Sequence, residues 1–149
     1  MIKTFRGLLG DLGVDRIRLS TKKGKVGYRI IKFEVMPEKP GQDNYEGTIT
    51  VNKVDFTPQN KIHLTDNNLL AVAFWAGNAA AFNYGPFNPP IIFEQEIFNQ
   101  DIFIGYNDLL SDTVKGMNYY LEIETMSLTD NATVVSTLRD IRLNPQVGG

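Results

Sequence analysis

Residues 117–126 read MNYYLEIETM and carry the clearest structural signal in this chain. Tyr119, Leu121 and Ile123 alternate with polar side chains, and a period of two is what a β-strand shows when one face is buried and the other is in water. Residues 26–36 show a similar alternation of apolar and charged side chains. Because only one face of each segment is apolar, the two segments predict an antiparallel sheet with a solvated face.

Five further segments have the composition of β-strands. They are rich in β-branched and aromatic residues, or they are short apolar runs bounded by asparagine, glycine and proline. These segments are residues 14–20, 46–54, 69–76, 91–93 and 101–106. Seven or eight strands at this spacing predict one all-β domain over residues 1–149, an antiparallel β-sandwich of jelly-roll-like form.

The two ends of the chain are predicted to differ from the sandwich. Residues 1–13 contain three glycines and predict a flexible N-terminal arm, from which Phe5, Leu8 and Leu9 could fasten onto a neighbouring subunit. A strand cap or a loose terminus is an equally good interpretation of the same glycines. Residues 130–143 place apolar side chains at helical spacing and predict a short C-terminal helix.

Composition limits the chemistry that this chain can perform. It has 0 cysteines, which excludes disulfides and thiolate chemistry, and its 1 histidine, His63, has no second histidine or cysteine with which to build a metal site or triad. Glu94 with Glu96, and Glu122 with Glu124, can share strand faces as paired acids in glycoside hydrolysis or calcium binding do. The alternation around the second pair is fully explained by a solvated strand face. We therefore predict no enzymatic activity, no metal and no cofactor.

Charge gives little indication of a partner. The net charge of -2 provides no general attraction to nucleic acid or to an anionic membrane. Charge and glycine interrupt the first ten residues before an apolar run long enough for a signal peptide or membrane span, so a soluble product made in the cytoplasm is expected.

The first predicted hairpin is locally basic, and it could meet an acidic protein surface or phosphates. Nucleic-acid binding is the weaker of these alternatives, because only Tyr28 lies close enough in sequence to offer a stacking platform. The basic candidates for partner binding are Arg16, Arg18, Lys22 and Lys23.

Residues 77–90 form an uncharged stretch of asparagine, glycine, proline and aromatic residues. Rigid aromatic rings beside amide side chains suit a protein interface, and they also stack on sugar rings. The candidates in this aromatic loop are Phe82, Tyr84 and Phe87. The alternative is that these rings fold back and cover one end of the sandwich, since large apolar side chains seldom stay exposed alone.

Six segments spread over most of the chain carry a resemblance to a protein family. They are IRLS (17–20), GYRIIKF (27–33), NNLLAVAF (67–74), IFEQEIFNQDIF (92–103), NYYLEIE (118–124) and STLRDIR (136–142). Together they resemble a group of small proteins that marine and aquatic tailed phages encode among their structural genes. The aromatic loop is less similar to that group.

The resemblance implies a non-enzymatic virion protein on the capsid surface, made in the host cytoplasm. A capsid decoration or cement protein is expected, which binds the major capsid protein and closes its own contacts as a cyclic homo-oligomer, with a trimer as the expected form. The alternative is a tail- or head-associated host-recognition module that binds carbohydrate through Trp75, Phe82, Tyr84 or Phe87. A glycoside hydrolase would require two carboxylates facing each other across a cleft, which no sequence feature predicts.

Overall fold

The computed structural model describes residues 1–19, 25–41, 44–78, 83–85, 89–110 and 115–128. These residues form nine β-strands and no helix, so no helix in the described ranges is long and apolar enough to cross a membrane. The strands are β1 (Ile2–Leu9), β2 (Val14–Ile17), β3 (Val26–Pro37), β4 (Tyr45–Asn52), β5 (Leu69–Asn78), β6 (Asn83–Gly85), β7 (Ile91–Ile92), β8 (Ile102–Asp108) and β9 (Met117–Ser127). The helix predicted at residues 130–143 lies outside the described residues.

The strands form two antiparallel sheets. The small sheet has the order β1-β9-β3, and the large sheet has the order β2-β8-β4-β5-β6, with β7 also pairing with β5. One buried apolar cluster contains side chains from both sheets, so the sheets pack face to face around a common core. This arrangement confirms the predicted antiparallel β-sandwich.

Strand β9 lies at the centre of the small sheet and has the alternation that its sequence predicts. Its odd-numbered side chains from Met117 to Ile123 are buried, and the even-numbered ones are only partly buried. Strand β3 is less regular, because a bulge between Ile30 and Lys32 shifts its register against β9. A shift of one residue moves the following side chains to the opposite face. Ile30 therefore faces the core before the bulge, and Phe33 does so after it.

The prediction of a flexible arm over residues 1–13 is wrong for most of that segment. Strand β1 pairs with β9 along its whole length, Leu9 is buried, and Phe5 packs against the core. Gly7 is required by packing, because a Cβ there would lie 2.7 Å from atoms of the Tyr119 ring. A glycine within a strand often marks a close approach of this kind.

The loop of residues 53–68, between β4 and β5, covers part of the outer surface of the large sheet. A Cβ at Gly105 would lie 2.6 Å from Cζ of Phe56 and 2.9 Å from Cγ of Pro58, so these side chains fill the space beside the glycine. The start of the loop is held by Lys53, whose buried ammonium lies 2.6 Å from Oε1 of Glu96. The large sheet is therefore covered on this side by its own chain.

Candidate functional site

The solvent-facing side of the small sheet, which we call the outer face, is the candidate site. Odd-numbered residues of β1 and β9 pack towards the core, so the even-numbered residues point outward, and β3 follows the same rule after its bulge. Strand pairing places the outward residues in four rows across the sheet. The rows are Ile2–Glu124–Arg29, Thr4–Glu122–Lys32, Arg6–Tyr120–Glu34 and Leu8–Asn118–Met36.

Charged side chains of the outer face form ion pairs with one another. The Arg29 guanidinium donates through Nε and Nη2 to Oε2 of Glu124, at 2.8 and 2.7 Å. The Lys32 ammonium lies 3.7 Å from Oε1 of Glu34 and 5.8 Å from the centre of the Tyr120 ring. Three basic and three acidic side chains occupy the four rows, so the outer face carries no net charge. It is therefore suited to a partner of mixed charge rather than to a polyanion.

The row that contains Leu8 and Met36 is open and has an apolar side chain at each end, with Asn118 between them. Leu8 is 50% exposed and Met36 is 58% exposed, which is high for two large apolar side chains on the strands that flank β9 in a rigid sheet. A groove of about 530 Å³ lies between them. Its outward-facing lining residues are Arg6, Leu8, Glu34, Met36, Asn118 and Tyr120. We call it the Leu8–Met36 groove, and apolar side chains inside a polar rim are typical of a protein contact.

Tyr120 gives this groove a polar donor beside its apolar ring. The Tyr120 hydroxyl donates to Oε1 of Glu122 at 3.0 Å. This hydrogen bond raises the pKa of Tyr120, and partial burial and the charges of Glu122 and Glu34 raise it further. The phenol is therefore neutral at physiological pH. A neutral tyrosine with an apolar body and a polar tip is one of the side chains that are enriched as anchors in protein interfaces.

The floor of the groove is fixed to the rest of the sandwich. The Tyr119 ring lies over Gly7, and its hydroxyl donates to Oδ2 of Asp15 at 2.9 Å. Asp15 belongs to β2, so this hydrogen bond joins the small sheet to the large one. Burial raises the pKa of Tyr119 well above the usual 10.0, and the hydrogen bond and charge of Asp15 add to the effect. The groove is therefore a preorganised surface.

Of the described residues predicted for partner binding, Leu8 alone lies on the outer face. Leu8 lines the groove, Phe5 lies half-buried on the inner side of β1, and Leu9 is buried in the core. Leu9 is therefore a packing residue, and its prediction as a contact is wrong. The alternation of an edge strand explains the difference between the neighbours Leu8 and Leu9, because successive side chains point to opposite faces.

Of the basic residues predicted for the same purpose, Arg16 lies in β2 of the large sheet and Arg18 follows that strand. Nε and Nη2 of Arg16 donate to Oδ2 of Asp101 at 2.8 and 2.7 Å, and Oδ1 of that carboxylate accepts the Leu19 N–H at 2.7 Å. Arg16 therefore links β2 to Asp101, the residue before β8, and has a structural role. Arg18 is exposed and forms no ion pair within the described ranges. Lys22 and Lys23 lie outside the described residues.

None of the described residues of the aromatic loop lies on the outer face. Phe82 and Phe87 lie outside the described residues, and Tyr84 belongs to β6, which pairs with β5 at the far side of the large sheet. Trp75 is half-buried and packs against the core, so it is not an open platform for a sugar ring. Neither Trp75 nor a described residue of the aromatic loop lines the groove.

A second, polar pocket of about 280 Å³ lies beneath the loop of residues 53–68. Asn52, Gln59, Lys61, His63 and Asn68 contribute polar side chains to its lining. Oδ1 of Asn68 is buried and has no hydrogen-bond partner among the described residues. Buried oxygens of this kind usually bind water or a ligand donor. Sequence reasoning missed this pocket, because its residues come together only when the loop folds against β4.

Among the described residues, no group of three or more histidine, aspartate and glutamate side chains could hold a metal ion. Glu122 and Glu124 lie on the outer face and are bonded to Tyr120 and Arg29, which agrees with the interpretation of that pair as a solvated strand face. The chain matches no protein-family model, and comparison with curated proteins finds no match.

Proposed function

We propose that this protein is a non-enzymatic structural protein of a phage virion, a capsid decoration or cement protein that docks on the major capsid protein through its outer face. The observation that carries the docking role is the Leu8–Met36 groove. It holds two half-exposed apolar side chains and a neutral tyrosine on a rigid sheet. A rigid surface loses little conformational entropy on binding, so most of its contact energy is available as affinity.

Simple magnitudes favour the groove over the basic residues as the main contact. Removing a leucine or methionine side chain fully from water contributes about 1.5–3 kcal/mol, and half of that area is still exposed here. An exposed ion pair usually contributes about 0–1 kcal/mol, and Arg16 is already paired with Asp101. The apolar groove is therefore the stronger source of affinity within the described residues.

The identity of the partner comes from the resemblance to phage structural proteins. In this proposal the protein coats the capsid surface after synthesis in the host cytoplasm, and it uses no cofactor, metal, membrane or nucleic acid. A cyclic homo-oligomer, with a trimer as the expected form, belongs to the same proposal, because cyclic symmetry closes all contacts of a small subunit.

The test is to mix the purified protein with phage capsids that lack it, and to measure saturable binding and the melting temperature of the shell. We expect stoichiometric binding and a higher melting temperature. Leu8→Glu and Met36→Glu are each expected to weaken binding about tenfold or more, because a carboxylate would be buried against the shell. Leu64→Glu is the matched control, since Leu64 is 51% exposed and lies in the loop on the large sheet.

Two results would contradict the proposal. The first is the absence of saturable binding to any shell. The second is equal loss of binding in Leu8→Glu, Met36→Glu and Leu64→Glu, because the contact would then not be specific to the groove.

The polar pocket favours a second candidate function, a host-recognition module that binds carbohydrate. The observation that supports it is the unpartnered Oδ1 of Asn68 in a pocket lined by amide side chains. A sugar hydroxyl can donate to such an oxygen, and the neighbouring amides can both donate and accept. Retention on host polysaccharide that is lost in Asn68→Leu and kept in Met36→Glu would favour this function over capsid binding. Passage of the unmodified protein through the polysaccharide column without retention would exclude it.

A further inference from the structure

We infer that the outer edge of β1 pairs with β1 of a second copy of this chain around a two-fold axis, which joins two small sheets into one continuous sheet. Strand β1 ends the order β1-β9-β3, and no described residue pairs with its outer edge. Its eight residues contain no proline and no bulge against β9. A long, regular edge strand of this kind is a template for another strand.

The register shows which backbone groups face this edge. The N–H of Thr125 donates to the carbonyl of Met1 at 2.8 Å, in continuation of the pairing of Ile2 with Glu124. Paired residues in an antiparallel ladder alternate between those that exchange hydrogen bonds and those that do not. The odd-numbered residues of β1 therefore bond to β9. The N–H and C=O groups of the even-numbered residues Ile2, Thr4, Arg6 and Leu8 point to the open edge.

A second copy is complementary to this edge when the two-fold axis passes beside Phe5. Ile2 of each copy then lies opposite Leu8 of the other, and Thr4 lies opposite Arg6. In this register, every N–H and C=O of the four residues that points to the open edge gains a hydrogen-bond partner. The alternative registers are poorer, because a shift by one bonded pair places Arg6 opposite Arg6 or places Ile2 opposite Arg6.

The exposed side chains favour the same occupant. Ile2 is 56% exposed at the charged end of the outer face, where its own row supplies only Glu124 and Arg29. Pairing would bring it against Leu8 of the other copy and would add an apolar side chain to the row that begins at Met36. Phe5 is half-buried on the inner side of β1 and would meet its own symmetry mate in a cross-strand aromatic pair.

This two-fold contact concerns the free protein, whereas the trimer of the proposed function is expected on the capsid surface. A two-fold contact uses the same surface on both copies, whereas a cyclic trimer needs two different surfaces. The pairing therefore predicts a dimer of 2 × 16.8 = 33.6 kDa in solution. It needs no capsid, so its test is independent of the capsid-binding test.

The experiment measures the molar mass of the full chain by light scattering over a range of concentrations. We expect the dimer mass, and we expect Thr4→Pro to be a monomer at concentrations where the unmodified protein is dimeric. Proline removes an N–H that faces the open edge and leaves the bonds to β9 intact, and edge strands accept it at such positions. Thr4→Val keeps the N–H and the side-chain shape, so it is expected to remain a dimer. Circular dichroism checks that Thr4→Pro is folded.

A disulfide test gives a second measurement. The chain has 0 cysteines, so Phe5→Cys can form a disulfide only with residue 5 of another copy. Non-bonded antiparallel pairs have Cα atoms about 4.5 Å apart, within disulfide range. Mild oxidation is expected to give a covalent dimer, whereas Lys3→Cys, whose symmetry mate is several residues distant, is expected to give little. A monomeric unmodified protein, a dimer or trimer that persists in Thr4→Pro, or equal cross-linking of both cysteine variants would overturn the two-fold pairing.

Discussion

The two outer surfaces of this sandwich follow the same alternation of side chains but are completed differently. On the large sheet, the loop of residues 53–68 folds back, and Phe56 and Pro58 fill the space beside Gly105. On the small sheet, the described residues supply no such cover, and Leu8 and Met36 remain half exposed. The loop of residues 53–68 shows that this chain can cover the outer surface of a sheet with its own residues. The open groove on the other sheet is therefore best explained as a surface for a partner.

The clearest test of this comparison is to crowd the covered surface. Gly105→Val is expected to lower the free energy of unfolding by about 2–3 kcal/mol, because its side chain would enter the space of Phe56 and overpack the interface. Valine favours a strand by at most about 1 kcal/mol, which is less than the expected steric cost, so the net effect is a loss of stability. Asn118→Val places the same residue on the open face, where no loop covers it within the described ranges, and is expected to change the free energy of unfolding by less than about 0.5 kcal/mol. Urea unfolding measures both.

A double-mutant cycle sharpens the same prediction. Phe56→Ala removes the ring that fills the space beside Gly105, so the cost of Gly105→Val is expected to fall by about 1 kcal/mol in the Phe56→Ala background. Strict additivity of the two changes would show that the loop does not determine the need for glycine.

The hydrogen bond beneath the groove gives a prediction with a pH dependence. Tyr119→Phe is expected to lower the free energy of unfolding by about 1 kcal/mol at neutral pH, because the hydroxyl no longer donates to Asp15. The pKa of Tyr119 is raised in the folded protein, so its contribution is fully present below the ordinary tyrosine pKa of 10.0 and decreases as the pH rises above that value. The difference in the free energy of unfolding between the two proteins should therefore shrink as the pH rises above 10. A constant difference would contradict the burial of this hydroxyl.

A smaller stability effect separates the two arginines that the sequence placed in one basic patch. Arg16→Met keeps an apolar stem but removes the charge beside the buried Asp101, and we expect a loss of about 1 kcal/mol at neutral pH. Arg18→Met is the matched control, and its exposed position predicts a change within about 0.5 kcal/mol. Thermal unfolding of the two variants gives the comparison, and equal losses would mean that the ion pair of Arg16 with Asp101 does not stabilise the fold.

The smallest stability effect is expected on the open face. Met36→Ala should change the free energy of unfolding by less than about 0.5 kcal/mol, although the same truncation in a core costs about 2–5 kcal/mol. The variant should nevertheless weaken binding to capsids. A large loss of stability would show that Met36 is covered within the free protein, and the groove would then not be available to a partner.

Strand β1 shows where sequence reasoning reaches its limit. Its inward positions include Lys3 and Gly7, and its outward positions include Ile2 and Leu8, so the hydrophobic pattern contradicts the true alternation. Strand β9 has apolar side chains inward and polar ones outward, and its prediction is correct. Periodicity identifies a strand only when the buried face carries apolar residues and the solvent face carries polar ones. An edge strand that presents apolar side chains to a partner fails that condition.

The sequence by itself determined the all-β class and the positions of most strands, because period-two patterns and turn residues are local properties of the chain. Only the tertiary structure decided where the Leu8–Met36 groove lies, since its side chains come from β1, β9 and β3 and meet through the strand register. The bulge between Ile30 and Lys32 determines which residues of β3 face outward, and no pattern in the sequence predicts it. Register and bulges depend on contacts between distant segments, so the candidate site became visible only in the folded chain.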